Sequence, residues 1–254
     1  MFSTRVIPSL LLKDGGLVKT VKFSKERYVG DPINAVRIFN EKEVDELVLL
    51  DIGATIQKKE PDYDSIKEIV SEAFMPIGYG GGIKNLNQIE KLFKIGIEKI
   101  IINSAAFKDE ALIKDASDIY GSQSVVVSID VKKDIWKNYQ IYTHSGSQKQ
   151  KLSVSDAIMK LQDLGAGEII VNSIDKDGTM SGYDIDLIRQ ASMNIEIPIV
   201  ALGGAASVED FANAIQAGAS AVSAGSMFIF QGVHRAVLIS YVKSEELEQY
   251  LNRI

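Results

Sequence analysis

Two stretches of this chain repeat one another at a fixed spacing, and no other feature restricts the fold as tightly. Met75-Pro76-Ile77-Gly78-Tyr79-Gly80-Gly81-Gly82 aligns with Ile197-Pro198-Ile199-Val200-Ala201-Leu202-Gly203-Gly204 (204 − 82 = 122), and the register continues to Ser104 on Ser226 (226 − 104 = 122). Two half-length units follow from this. Short runs rich in Val and Ile recur through both: Val6 to Leu12, Leu47 to Ile52, Pro76 to Tyr79, Ile100 to Asn103, Val125 to Asp130, Ile169 to Ser173, Ile197 to Ala201 and Ala221 to Ala224. Continuously apolar strands are what a parallel sheet buried on both faces requires. The segments between them have helical period, as in Val208, Phe211, Ala212 and Ile215. Asp31-Pro32, Asn85 to Gln88 and Ser207 to Asp210 read as helix starts. Two halves of four βα modules close naturally into a (β/α)8 barrel, whose usual length is about 250 residues. The prediction is one α/β TIM-barrel domain over residues 1–254, built from two half-barrels. A doubly wound sheet would need polar edge strands, and no terminal module has that character.

Composition narrows the function classes. A net charge of -6 argues against nucleic acid or an anionic membrane as the main partner. The chain has no cysteine, which excludes disulfides and thiolate chemistry, and only His144 and His234 carry imidazoles, so neither a metal nor another cofactor is expected. The run Val6 to Leu12 is too short to span a membrane or serve as a signal peptide. A cytoplasmic location is expected.

In a barrel of this kind the active site gathers at the C-terminal ends of the strands. Gly81 and Gly82 with Asn103 and Ser104, and Gly203 and Gly204 with Gly225 and Ser226, make one construction twice: glycine N–H groups beside a hydroxyl and a helix start. Backbone N–H groups so arranged hold anions, and twin cradles suit a ligand with a phosphate at each end. The plainer reading of these glycines is tight strand-to-helix turns. Asp177 and Gly178, in the loop Ser173 to Thr179, complete the expected phosphate-side set, with Asp175 and Asp177 shaping the loop and bonding ligand hydroxyls. Asp130 ends an apolar strand where a carboxylate has no structural purpose, which makes it the candidate general acid or base. The repeat places Leu11 opposite it (130 − 11 = 119), so a paired-carboxylate mechanism lacks its second acid. Arg5, Glu46, Lys99 and Glu168 each stand at the start of a run, at the other end of the barrel. They are either ordinary flanking charges or a closed ring that forms a gate or docking surface.

At these residues the chain resembles the HisF family, the cyclase subunit of imidazole glycerol phosphate synthase. The likeness runs through Lys13-Asp14-Gly15, Gly30-Asp31-Pro32, Gly80-Gly81-Gly82-Ile83, Ser173-Ile174-Asp175-Lys176-Asp177-Gly178-Thr179 and Ser181-Gly182-Tyr183-Asp184. The resemblance implies a barrel that docks a HisH-like glutaminase on its N-terminal face and receives ammonia along its axis, with Arg5, Glu46, Lys99 and Glu168 matching the family's gate. It further implies two catalytic aspartates acting on a bisphosphorylated nucleotide. Asp130 matches one of them and Leu11 takes the place of the other. Asn172 and Leu202 stand where the family has small hydroxyl residues, and Gly16 replaces a basic one.

The opening Ile7 to Thr20 and the tail His234 to Tyr241 resemble a paralog group within that family. That group is associated with acetamidino sugar formation in surface polysaccharide or flagellar glycan synthesis, alongside a sugar amidotransferase. The expected role is therefore ammonia supply for sugar amidation. The alternatives are the histidine-pathway cyclase itself and a non-catalytic scaffold that activates a glutaminase.

Overall fold

The computed structural model describes residues 4–252. Eight parallel strands form the barrel: β1 (Arg5–Lys13), β2 (Leu47–Asp51), β3 (Ile77–Gly80), β4 (Lys99–Ile102), β5 (Val125–Lys133), β6 (Glu168–Ser173), β7 (Ile199–Leu202) and β8 (Ala221–Ala224). Each pairs with the next in parallel, and β8 returns to β1 through Arg5↔Ala221 to Pro8↔Ala224, which closes the ring. Eight helices alternate with them: α1 (Pro32–Glu41), α2 (Tyr63–Ser71), α3 (Leu86–Ile95), α4 (Ala111–Tyr120), α5 (Val154–Asp163), α6 (Ile185–Ser192), α7 (Val208–Gln216) and α8 (Ser244–Leu251). The repeat is visible in the elements themselves, since β3 maps onto β7 (77 + 122 = 199) and β4 onto β8 (99 + 122 = 221).

The apolar runs match these strands within one or two residues, except that β5 continues three residues past Asp130 to Lys133. Pro76 and Pro198 fall just outside β3 and β7, because a proline has no N–H to give a ladder. All three expected starts are capped: Asp31 accepts from Asn34 N–H, Asn85 from Gln88 N–H, and Ser207 and Asp210 form a reciprocal capping box. Along β5, Val125, Val127, Ile129 and Val131 pack outward against the helices, leaving Val126, Ser128 and Asp130 facing the axis. The same alternation in β1 buries Val6, Leu10 and Leu12 outward and turns Arg5, Ile7, Ser9 and Leu11 inward. Within the barrel, Ile7, Val48, Ile101, Val126, Ile170 and Val200 fill the middle layer, so the interior is packed rather than an open pore.

Two features are not expressed in the repeat of apolar runs. After β1 the chain turns into an antiparallel hairpin, Gly16–Val21 with Ser24–Gly30, and after β5 into a second, Tyr139–Thr143 with Gln148–Lys149. Both lie over the C-terminal end of the barrel.

Candidate functional site

A cavity of about 870 Å³ opens at the C-terminal ends of the strands. Asp130, the glycines and hydroxyls of both cradles, Asn103, Asp177 and Gly178 line it, whereas Asp175, expected to bond ligand hydroxyls, does not. The repeat thus brings its two halves to one site.

The cradle glycines have a reason for being glycine that precedes any ligand. Gly81 and its repeat mate Gly203 adopt φ +121° and +95°, and a Cβ would stand 2.4 Å from the Asp51 carbonyl oxygen and 2.8 Å from that of Ser173. No other residue tolerates both conditions. What makes the cradles suitable for an anion is the backbone they leave free: among the described residues, no protein acceptor engages the N–H of Gly82, Gly204 or Ser226. The expected helix starts hold only in part. Ser226 opens a helical turn, Ser226–Ile229, whereas α3 begins four residues past Gly82, behind the Asn85 cap, and α4 begins at Ala111. Ser104 is already occupied, accepting the His144 N–H at 3.0 Å and donating to Asn103 Oδ1 at 3.2 Å.

Asp130 sits at the cavity floor, 8% exposed. Asn172 Nδ2 donates to its Oδ1 at 3.0 Å and Asn103 Nδ2 to its Oδ2 at 3.0 Å. Asn103, expected beside a phosphate, thus has its amide directed at the carboxylate. Burial pushes the Asp130 carboxyl up to about 7; the Asn172 hydrogen bond opposes this, the charge of Asp177 adds to it, and the Asn103 bond opposes it more weakly. An acid of that strength can both accept and give a proton near neutrality. Across the barrel, Leu11 with Leu50, Ile101 and Leu202 forms an apolar half of the floor.

Asp177 is engaged by the first hairpin through one carboxylate oxygen, Oδ2. It accepts from Thr20 Oγ1 at 2.8 Å and from the Phe23 N–H at 3.3 Å, while its own carbonyl takes the Lys22 N–H at 3.0 Å. These bonds pin the first hairpin over the cavity, and Asp175 likewise accepts the Lys133 N–H at 2.8 Å. Both carboxylates shape loops, as the sequence suggested. Arg235 donates to the Gly178 carbonyl at 2.9 Å, and its own carbonyl accepts from Arg27 of the hairpin at 3.3 Å. His234 is exposed in the turn beside it.

The pinned hairpin carries a residue that strand-end reasoning missed. Lys19 is buried at the cavity wall, its Nζ donating to the Ser9 carbonyl at 2.6 Å. A Cβ on Gly225 would lie 2.3 Å from that Nζ, so the ammonium rests directly on the second cradle. Burial pushes its ionisation down to about 8, against the pull of Asp177. The signal was the short run Gly16-Leu17-Val18-Lys19-Thr20-Val21, rich in β-branched residues, with a lysine inside it.

At the opposite end the four flanking charges close into a ring. Arg5 donates to Glu46 at 2.6 Å and to Glu168, and Lys99 donates to Glu46 at 2.8 and 3.0 Å and to Glu168 at 2.9 Å. Glu46 and Glu168 are 5% and 6% exposed. Burial alone would raise the Glu168 carboxyl, but the bonds and charges of Arg5 and Lys99 outweigh it and hold it below the usual range. Just inside the ring lies a cavity of about 10 Å³, walled by Ile7, Val48, Val126, Ile170, Val200 and Ser223. It has room for about one water-sized molecule. Among the described residues, no group of three or more His, Asp or Glu is placed to hold a metal, and no helix is long and apolar enough to cross a membrane.

Residues 5–234 match the family model described as histidine biosynthesis protein. The chain is 51% identical over 249 residues to a Pseudomonas aeruginosa protein provisionally named imidazole glycerol phosphate synthase subunit hisF2, covering 98% of this chain and 99% of that one. A Leptospira interrogans protein, provisionally named subunit HisF of the same synthase, is 47% identical over 250 residues, 98% of each chain. The imidazole glycerol phosphate synthase subunit HisF of Petrotoga mobilis is 41% identical over 237 residues, 93% of this chain and 94% of that one.

Proposed function

The chain belongs to the histidine biosynthesis family as a HisF-type barrel, and we propose that it is the ammonia-receiving subunit of a cytoplasmic complex that amidates a sugar. The product is an acetamidino group on a surface polysaccharide or flagellar glycan. A HisH-like glutaminase seats on the N-terminal face over the ring of Arg5, Glu46, Lys99 and Glu168. Ammonia enters through that ring, passes the small cavity behind it and emerges at the upper floor, where a sugar amidotransferase draws on it. The twin cradles bind a phosphorylated small molecule there.

One observation carries this reading. Leu11 and Asp130 occupy equivalent inward positions in β1 and β5, and the first has no proton to give or take. Asn172 and Leu202 further reshape the floor. Of the relatives compared, those named provisionally stand at 45–51% and those named HisF without that qualification at 37–41%, and all carry the synthase's name. Deleting the gene is expected to remove acetamidino groups from the glycan while leaving histidine prototrophy intact. Rescue of a histidine auxotroph lacking its own cyclase would overturn the reading.

The second reading is the histidine-pathway cyclase, working with Asp130 alone or with Asp14, Asp51 or Asp177 in support. It is favoured by Asp130's ionisation near neutrality and by the retention of both cradles. Of the three substitutes, Asp51 already accepts from the N–H groups of Gly53 and Ala54, and Asp14 accepts from Gln57 at the hairpin turn.

A further inference from the structure

Lys19 is the one buried amine of the cavity that neither reading uses. Its Nζ makes a single hydrogen bond, to the Ser9 carbonyl, and among the described residues no carboxylate lies within ion-pair distance of it. A buried ammonium without a counter-ion is costly. Its position is nevertheless fixed: the hairpin strand is paired to β1 through Leu11↔Val18, Thr20 is bonded to Asp177, and Gly225 leaves the space the amine fills. An amine so placed lies against Gly225 of the second cradle and lines a cavity that takes a sugar-sized ligand.

We propose that Lys19 is a nucleophile that condenses with the carbonyl of a phosphorylated aldehyde or ketone whose phosphate sits in the Gly204 and Ser226 cradle. The neutral Nζ adds to the carbonyl carbon, and one amine proton passes to the oxygen. The second amine proton leaves with that hydroxyl as water, and a C=N bond remains. Ammonia rising along the axis then meets an imine in place of a carbonyl, and exchange of one amine for the other returns Lys19 free. The depressed ionisation supports the chemistry, since at pH 8 an amine titrating near 8 has about a hundredfold more neutral form than an ordinary lysine. Asp177, the charged group acting on Lys19, opposes that shift and does not cancel it.

The inference rests on the phosphate-ligand part of the proposed function and not on the identity of the ammonia acceptor. The full-length protein is incubated at pH 8 with glyceraldehyde 3-phosphate and cyanoborohydride, and labelled peptides are mapped by mass spectrometry. Unphosphorylated glyceraldehyde serves as the control. The thermal shift given by glycerol 3-phosphate, which has no carbonyl, reports occupation of the cradle separately. The expected result is labelling at Lys19 at least tenfold above any exposed lysine, suppressed by glycerol 3-phosphate and absent in Lys19→Arg.

A thermal shift without Lys19 labelling overturns the nucleophile and leaves the phosphate reading standing. Equal labelling of Lys19 by the unphosphorylated aldehyde overturns the ligand class. Because the native protein is read directly, the result does not depend on the variant folding.

Discussion

Lys99→Met tests the ring at the base of the barrel. The lysine makes three of the contacts that neutralise Glu46 and Glu168, which are 5% and 6% exposed, and methionine keeps its approximate length without its charge. Breaking a buried pair by removing one partner costs about 3–5 kcal/mol. Arg5 still serves both glutamates, so the expected loss is smaller, about 2–3 kcal/mol, or on the order of 4–12 °C in Tm for a chain of this size. The sign with pH follows from Glu168. Its carboxyl is held below the usual 4.5 in the folded protein, so its contribution is fully present above that value and disappears as pH falls through the folded one. The gap between native protein and variant is therefore widest near pH 7 and narrows below pH 4.5. Thermal denaturation at a series of pH values measures it. With the glutaminase bound, the same variant is expected to release ammonia to solvent in excess of product formed per glutamine. A gap that stays constant with pH, or none at all, would refute the ring energetics; unchanged coupling would refute the gate.

Asp130→Asn is expected to abolish the biological output while raising Tm at pH 8. Burial holds the carboxyl up to about 7, so ionisation is easier in the unfolded chain and stability is lost as pH rises from near 4 through 7; the amide removes that loss, and melting curves at pH 4 and pH 8 check it. Retained output would favour a pure scaffold. Thr20→Val removes the hydroxyl that donates to Asp177 and leaves a buried carboxylate short of a partner, at a cost of about 1–3 kcal/mol. Faster tryptic cleavage at Lys22 and Lys25 in the hairpin tip is expected, and unchanged cleavage would mean that the Lys22 and Phe23 N–H bonds to Asp177 hold the hairpin down without the hydroxyl.

The barrel was legible because its signals are local and repeated. Eight apolar runs mark the strands, and the spacing from Gly82 to Gly204 fixes the halves, since buried parallel strands and left-handed glycine turns admit few residue types. Asp130 was legible for the opposite reason, as a charge where packing wants none. The pairing of Asn103 with Asp130 was not, because an asparagine beside a glycine-lined turn suits a phosphate equally well, and only the β4 to β5 register turns its amide toward the carboxylate. Lys19 escaped because the hairpins lie outside the βα repeat. The Thr20 to Asp177 bond that folds the first one over the site joins residues 157 apart. Long-range polar contacts of that kind leave no periodic trace in sequence.

The central claim is that this barrel handles ammonia without closing the imidazole ring. The measurement that tests it most directly is ammonium-dependent consumption of the bisphosphorylated ribulosyl aminoimidazole nucleotide by the purified protein, beside a Leu11→Asp variant and a competent cyclase. No turnover by the native protein is predicted, with or without gain in the variant. Turnover near that of the competent cyclase would contradict the account and mean that Asp130 suffices alone.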